Sequence, residues 1–509
     1  MRERAIRIHR ESRPFDFQAA GSRRFVCARE RELSRRRGSV SVRARRLSSA
    51  RSSTFRGHRV SAGAQAGAGW PRSIVRAAPI RRLNGSVLEA SLPDVRIGEL
   101  CLIREAVGRS TIVGRAQVIG FSESVAVLAL LGPAHGLSRH AVVEPTGGPL
   151  KIAVSMRLLG CAIDADGGIH ETLTSPHADG ERAIPRGASA QGACFDEVRE
   201  VDAPRVRAPC AVTQPLETGV RVIDGVLGVG VGQRVAVLAQ AGAGKTTLLH
   251  MIAAQSRADV VVIGLIGERG REVAETIERL REVDAGRRCV VVRATSDAPA
   301  VERAAAAASA MTIAEYFRDC GLHVLLVFDS LTRYARALRE IALAAGELPA
   351  RHGFPASVFE RLPRLLERAG NTGEGAITAF FSVLVDHEDE LDPIAHEVIS
   401  ILDGHVVLSS AMAREGLFPA IDVLRSVSRV AARVGSSDDV QRAYSVRRVF
   451  ARAAQLATLV EMGEYRAGMI EDDDRALDVA QRLRHVFAQG AGHDASIAET
   501  RRLIDEALV

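Results

Sequence analysis

The chain has 509 residues, 47% of them hydrophobic, and a formal net charge of +7. That apolar content suffices for a packed core and suggests about three domains, and no apolar run approaches the eighteen or so residues needed to span a bilayer. The charge is unevenly placed: residues 1–76 hold twenty arginines and five acids, which leaves the rest at −8, so the basic pI implies no nucleic-acid surface on the folded body. The seven cysteines (Cys27, Cys101, Cys161, Cys194, Cys210, Cys289 and Cys320) form no CxxC pair. That argues against a zinc site or a disulfide framework and suits a reducing compartment.

Residues 1–76, with Arg35-Arg36-Arg37 and Arg43-Ala44-Arg45-Arg46 among many serines, lack apolar periodicity and read as a disordered extension. Three origins stay open: a gene start placed too far upstream, which is preferred, a nucleic-acid or membrane-surface arm, and an organellar transit peptide. No methionine lies between Met1 and Met156, so a later start would use another codon, for example at Val60 or Val75.

Residues 77–152 carry short β-rich pieces, such as Ser86 to Ala90, Glu99 to Ile103 and Val125 to Leu130, at the close spacing of a small β-barrel. Asp164 to Pro209 is polar and rich in Gly, Pro and Ala, and reads as a long connection. Within residues 153–431 the strand-like runs Val260 to Ile266, Cys289 to Val292, His323 to Phe328 and Ala376 to Val385 alternate with helical stretches. That pattern asks for a mostly parallel sheet covered on both faces. The alanine run Ala304 to Ala308 sits in one such helix and is assigned no chemistry. Residues 432–509 read as helical, with Leu456, Leu459 and Val460 among charged residues and a polar helix from about Ala498 to Leu508.

Sixty-six of the 68 basic residues are arginines, and one of the two lysines, Lys245, lies in Ala239-Gln240-Ala241-Gly242-Ala243-Gly244-Lys245-Thr246. An ammonium is a compact charge that enters a tight ring of backbone amides, where a guanidinium fork does not. The apolar run Arg234 to Leu238 before it and the helical Thr247 to Ile252 after it make strand, glycine-rich turn and helix. In that context Gln240, Ala241, Gly242, Ala243, Gly244, Lys245, Thr246 and Thr247 cradle phosphates, Lys245 reaches the β/γ-phosphates, and Thr246 ligates Mg²⁺.

Two further apolar runs end in carboxylates, Val260 to Ile266 before Glu268 and Val324 to Phe328 before Asp329. Open α/β sheets bind ligands at that edge. Asp329 is assigned to Mg²⁺ and Glu268 to the attacking water, with Arg269 beside it counted as catalytic, although the sequence permits the two acids to exchange roles. Glu272 is either a helper to Glu268 or a surface carboxylate. The acidic loop Asp386 to Asp392 has no ordered ligand spacing and reads as solvated.

The blocks Gly264-Leu265-Ile266-Gly267-Glu268-Arg269-Gly270-Arg271-Glu272-Val273, Ile313-Ala314-Glu315-Tyr316-Phe317-Arg318-Asp319, Asp329-Ser330-Leu331-Thr332-Arg333-Tyr334-Ala335 and Ile401-Leu402-Asp403-Gly404-His405 resemble the type III secretion and flagellar export ATPases. That family is related to the catalytic β subunit of rotary ATP synthases, and the resemblance spans roughly residues 80 to 475. It implies a RecA-like P-loop NTPase core, with the β-barrel before it and the helical domain after it. It also implies a homohexamer with ATP and Mg²⁺ between subunits and an arginine finger from the neighbour, here Arg429 in Pro419 to Val430. Phe418 falls where relatives stack an aromatic on adenine, and apolar core packing is the competing reading.

Three departures lie near the subunit interface or channel of relatives: His396 replaces an aspartate, Ile399 an arginine, and Ser410 an arginine. The implied function is ATP hydrolysis at the cytoplasmic face of the inner membrane, energising export by releasing or unfolding chaperone-bound cargo, with stator and stalk partners. Virulence-type secretion is preferred to flagellar export. A catalytic rotary ATP synthase subunit is opposed by Gly270-Arg271-Glu272-Val273, and an inactive structural subunit by Glu268. An RNA-translocating hexamer is opposed by a barrel that offers only Phe121 for stacking, and no nucleic-acid partner is expected.

Overall fold

The computed structural model describes residues 77–173, 196–202, 208–282, 285–386, 392–466, 468 and 470–509. The expected extension over residues 1–76 therefore lies outside the described residues.

Six strands, β1 (Ala78–Asn84), β2 (Val87–Ala90), β3 (Glu99–Arg104), β4 (Ile112–Ser122), β5 (Val125–Leu131) and β6 (Val142–Pro149), close a barrel in the order β1-β2-β5-β4-β3-β6. Alternation drives it: in β3 Cys101 and Ile103 are buried while Leu100 and Leu102 are only partly covered. Leu88, Ile103, Leu128 and Val143 fill the interior.

The described parts of the connection after the barrel hold regular strands, while its residues 174–195 and 203–207 lie outside the described residues. β7 (Lys151–Val154) pairs with β10 (Glu197–Glu200), and β8 (Cys161–Ile163) pairs with β9 (Ile169–Thr172). Short strands on an existing edge need little sequence signal, because the sheet supplies the partners.

The central sheet continues with β11 (Arg234–Ala239), β12 (Val260–Glu268), β13 (Cys289–Thr295), β14 (His323–Asp329), β15 (Gly370–Asn371), β16 (Ala376–Leu384), β17 (Gly404–Leu408) and β18 (Ile421–Ser428). Its order is β18-β17-β11-β16-β14-β12-β13-β8-β9, with β15 beside β16 and the middle strands all parallel. All nine residues of β12 are buried, as expected of a strand covered on both faces.

The covering helices are α1 (Lys245–Gln255), α2 (Gly270–Glu282), α3 (Ala300–Asp319), α4 (Leu331–Ala344), α5 (Ala356–Leu366), α6 (Pro393–Ile401), α7 (Ser410–Arg414) and α8 (Ala431–Val434). The alanine run lies in α3, where Ala306, Ala307 and Ala308 are buried and small side chains let the helix lie close on the sheet. The chain ends in α9 (Ser437–Glu461), α10 (Glu471–Phe487) and α11 (Ile497–Leu508). Leu456 packs inward there, whereas Leu459 and Val460 face solvent.

One expectation needs correction. Cys101 and Cys210 carry free thiols, but Cys320 is disulfide-bonded.

Candidate active site

β11 ends at Ala239, the loop 240–244 turns, and α1 begins at Lys245. Gly244 carries φ +87°, and a Cβ there would stand 3.2 Å from the Phe418 ring, so glycine satisfies both the turn and the close approach. The first N–H groups of a helix have no partner within it, so the start of α1 offers donors to an anion. Gln240 braces the loop from outside. Its amide donates to Asp386 O at 2.9 Å and accepts from Ser410 Oγ at 2.7 Å. Ser410, noted as a departure, thus holds the phosphate loop.

The two predicted carboxylates converge on Lys245. β12 and β14 are neighbours with Leu265 opposite Asp329, which brings both strand ends to the carboxyl edge beside the loop. Lys245 Nζ contacts Asp329 Oδ1 directly and lies 3.9 Å from Glu268 Oε1, and both acids are only 5% exposed.

Two residues that the sequence reading gave no role complete this arrangement. Ser382 Oγ donates to Asp329 Oδ1 at 2.6 Å from the adjacent strand β16, and Arg333 Nε donates to Glu268 Oε1 at 3.1 Å from α4. The signal for Ser382 is a hydroxyl inside an otherwise apolar buried strand, where it must find a partner. Burial, and then the nearby Asp329, push the Glu268 carboxyl up to about 7, against Lys245 and Arg333, and a hydrogen bond with Glu272 adds to the rise. The Glu272 side chain is itself 39% exposed and lies 3.7 Å from Arg269.

His250 on α1 also went unread. Its Nε2 lies 3.0 Å from Thr276 Oγ1, whose hydroxyl donates to Glu272 O at 2.8 Å, so the ring is the donor and Nδ1 accepts from Arg279 at 3.3 Å. Burial, and then Arg279, lower its pKa to about 4, which keeps the ring neutral and ties α1 to α2.

Other predicted residues fall elsewhere. Arg269 points outward, with a side chain 76% exposed and 3.7 Å from Glu272; Arg333 holds the place at Glu268. Phe418 is 41% exposed, which removes the core-packing reading. Asp392 caps α6 by accepting from Ala395 N at 2.7 Å, and residues 387–391 of the acidic loop lie outside the described residues. Thr246 and Thr247 lie half-buried in the first turn of α1.

Arg429 is remote from Lys245 in its own chain. β18 runs antiparallel to β17, with Ile421 opposite Leu408 and Ser428 opposite Gly404. Its eight residues, at ~3.3 Å each, run roughly 26 Å from Ile421 at the carboxyl edge to Arg429 at the amino edge of the sheet. There its Nη2 donates to Ile399 O at 3.2 Å, at a second position where relatives differ.

The residues fit a magnesium nucleotide. Two buried acids, Glu268 and Asp329, face Lys245, and after burial the charge of Asp329 is the next cause of the raised Glu268 pKa, which a cation beside the pair would relieve. Among the described residues no group of three His, Cys, Asp or Glu could hold a metal by itself. A hydroxyl and one carboxylate with phosphate oxygens is the usual Mg²⁺ arrangement.

Comparison with known proteins agrees with this geometry. Residues 80–147 match the β-barrel domain and residues 219–428 the nucleotide-binding domain of the ATP synthase alpha/beta family, and residues 436–506 match the EscN ATPase C-terminal domain of type III secretion systems. The chain is 47% identical over 432 residues to the SPI-1 type 3 secretion system ATPase of Salmonella typhi, covering 84% of this chain and 97% of that one. The chain belongs to the family of type III secretion ATPases. This ATPase is also 41% identical over 428 residues to the flagellum-specific ATP synthase of Bacillus subtilis (strain 168), covering 84% of this chain and 94% of that one. The assembled ATPase EscN of enteropathogenic E. coli, solved in complex with its central stalk EscO, superposes with a TM-score of 0.72 at 38% identity, covering 85% of this chain and 100% of that one. The expected barrel, RecA-like core and helical C-terminal region are thus the architecture of a secretion ATPase that binds and hydrolyses ATP.

Proposed function

We propose that this chain hydrolyses ATP to ADP and phosphate to energise protein export through a type III secretion apparatus, with Lys245, Glu268, Asp329 and Arg429 in the roles below. The observation that carries the reading is the meeting of Lys245 with two buried strand-end acids, Glu268 and Asp329.

The amides of residues 241–246 hold the β-phosphate, and Lys245 leaves Asp329 for the β/γ-phosphates once they arrive. Thr246 and Asp329 would hold Mg²⁺, with Ser382 orienting Asp329, and the ion would supply charge neutralisation at the phosphate oxygens. Glu268, kept in place by Arg333, orients the attacking water and accepts its proton. Phe418, exposed beside Gly244, stacks on the base. Arg429 completes the site of the next subunit, which its distance from Lys245 in the same chain supports.

The working form is a homohexamer on a central stalk, with stator proteins and chaperone–cargo complexes as partners, at the cytoplasmic face of the inner membrane. Among the described residues no helix is long and apolar enough to cross a membrane. Flagellar export is the second reading, carried by the Bacillus subtilis relative, and the higher identity to the Salmonella typhi protein favours secretion of the virulence type.

The test is ATP turnover against protein concentration, with and without Glu268→Gln. Turnover should rise cooperatively as the chain assembles and vanish in the variant. Turnover independent of concentration, or retained in the variant, contradicts the proposal.

A further inference from the structure

We infer that Gln489 is a positioning residue for the nucleotide base: it locks Phe418 to the C-terminal helices and so sets the width of the base pocket. This rests on the reading of Phe418 as the stacking face.

A cavity of about 200 Å³ opens beside Phe418. Phe418 and Pro419 form one side, and Phe450, Arg484 and Phe487 of α9 and α10 form the other. Because the Phe418 ring also lies against Gly244, the cavity adjoins the phosphate loop. The two walls come from segments far apart in the chain, and the base affinity depends on their spacing.

Gln489 bridges those walls. It is 6% exposed and follows the end of α10 by two residues, and its backbone N–H donates to Phe418 O at 2.8 Å. Its side chain then fixes that backbone. Nε2 donates to Gly219 O at 2.7 Å and to His493 O at 2.6 Å, while Oε1 accepts from Arg221 N at 3.0 Å. Arg221 extends the brace by donating to Val486 O at 3.1 Å and to His493 Nε2 at 2.9 Å.

The brace also reaches the phosphate-loop helix. Gly219, at φ +77°, sits so near Gln255 that a Cβ would come within 2.5 Å of that side chain, and Gln255 is the last residue of α1. Gln255 Nε2 donates in turn to Ala491 O and His493 O at 3.0 and 3.1 Å. Gln489 thus ties the loop of Phe418, through its backbone N–H, to the end of α10 and to Gly219, through its side-chain amide.

The amide is chemically required there. Both donors of Nε2 meet carbonyls and Oε1 meets an N–H, so a carboxylate of the same size would face two carbonyl oxygens without a proton to give. Phe418 is 41% exposed, so its ring is packed less firmly than a core aromatic and depends more on the backbone that carries it.

The test compares binding of ADP with binding of inorganic pyrophosphate, which shares the phosphates and lacks the base. Gln489→Ala and the volume-keeping Gln489→Met should each weaken ADP about tenfold, a shift of the size of one aromatic contact. Pyrophosphate affinity and kcat at saturating ATP should stay unchanged, and Gln489→Ala should add nothing to the loss caused by Phe418→Ala. Equal losses for ADP and pyrophosphate, or additive losses in the double variant, overturn the inference. If Phe418→Ala weakens ADP but both Gln489 variants do not, the inference alone fails. If Phe418→Ala leaves ADP binding unchanged, the stacking reading fails and the inference with it.

Discussion

Arg333 Nε donates to Glu268 Oε1 across 3.1 Å, joining the first turn of α4 to the end of β12. The bond holds the proposed catalytic carboxylate at Oε1, the oxygen that also faces Lys245. Replacing Arg333 by alanine should lower kcat about 100-fold while ATP affinity changes less than about threefold. Steady-state rates with equilibrium nucleotide binding check this, and an unchanged kcat would remove the role.

Glu268 titrates near 7 instead of 4.5, because burial and then Asp329 disfavour its charge. A base must be ionised, so kcat/KM should fall as pH drops through about 7. Glu272 supports the raised value, so Glu272→Gln should move this limb to lower pH. For stability the sign is opposite. A raised carboxyl pKa favours the folded state most below about 4.5 and loses that contribution as pH rises through about 7. Glu268→Gln should therefore stabilise the nucleotide-free protein at pH 8, by on the order of 1 kcal/mol. Thermal unfolding at pH 5 and pH 8 checks the difference.

Ser382 Oγ on Asp329 Oδ1 orients a proposed magnesium ligand from a fully buried position. Ser382→Ala should raise the Mg²⁺ concentration for half-maximal turnover about tenfold, with little change in kcat at saturating Mg²⁺. Titration of activity with MgCl₂ at fixed ATP reads this directly.

The chemistry lying along contiguous sequence was legible: the loop 240–246 names itself, and Glu268 and Asp329 each close an apolar strand. What pairs residues across the sheet was not. Arg333 stands inside a motif quoted for its resemblance, yet its partner is 65 residues away. Ser382 reaches Asp329 only because β14 and β16 are paired in the register that sets Phe328 opposite Phe381. Strand order is a tertiary outcome, and apolar runs carry no label for their neighbours. Likewise β9 and β10 hide in a polar stretch because the edges they join supply their hydrogen bonds.

Away from the site, Arg368 forks onto Glu315 at 2.9 and 2.8 Å, with only 7% and 2% of the two side chains exposed. The same guanidinium donates to Thr312 Oγ1 and Val201 O, which ties α3 to the segment after β10. Arg368→Ala should cost about 3–5 kcal/mol by stranding the buried carboxylate, and adding Glu315→Leu should recover part of the loss. Denaturant unfolding of the single and double variants checks both statements.

The central claim is that Lys245 and Glu268 of one chain work with Arg429 of the next, since β18 carries Arg429 to the far edge of its own sheet. The most direct measurement mixes two variants, Arg429→Ala and Glu268→Gln, and assays ATP hydrolysis after co-assembly verified by affinity tags. Each variant alone should be inactive, and the mixture should regain turnover wherever an intact Glu268 meets a neighbour's intact Arg429. Co-assembled mixtures that stay inactive, or full activity of Arg429→Ala alone, would contradict the account.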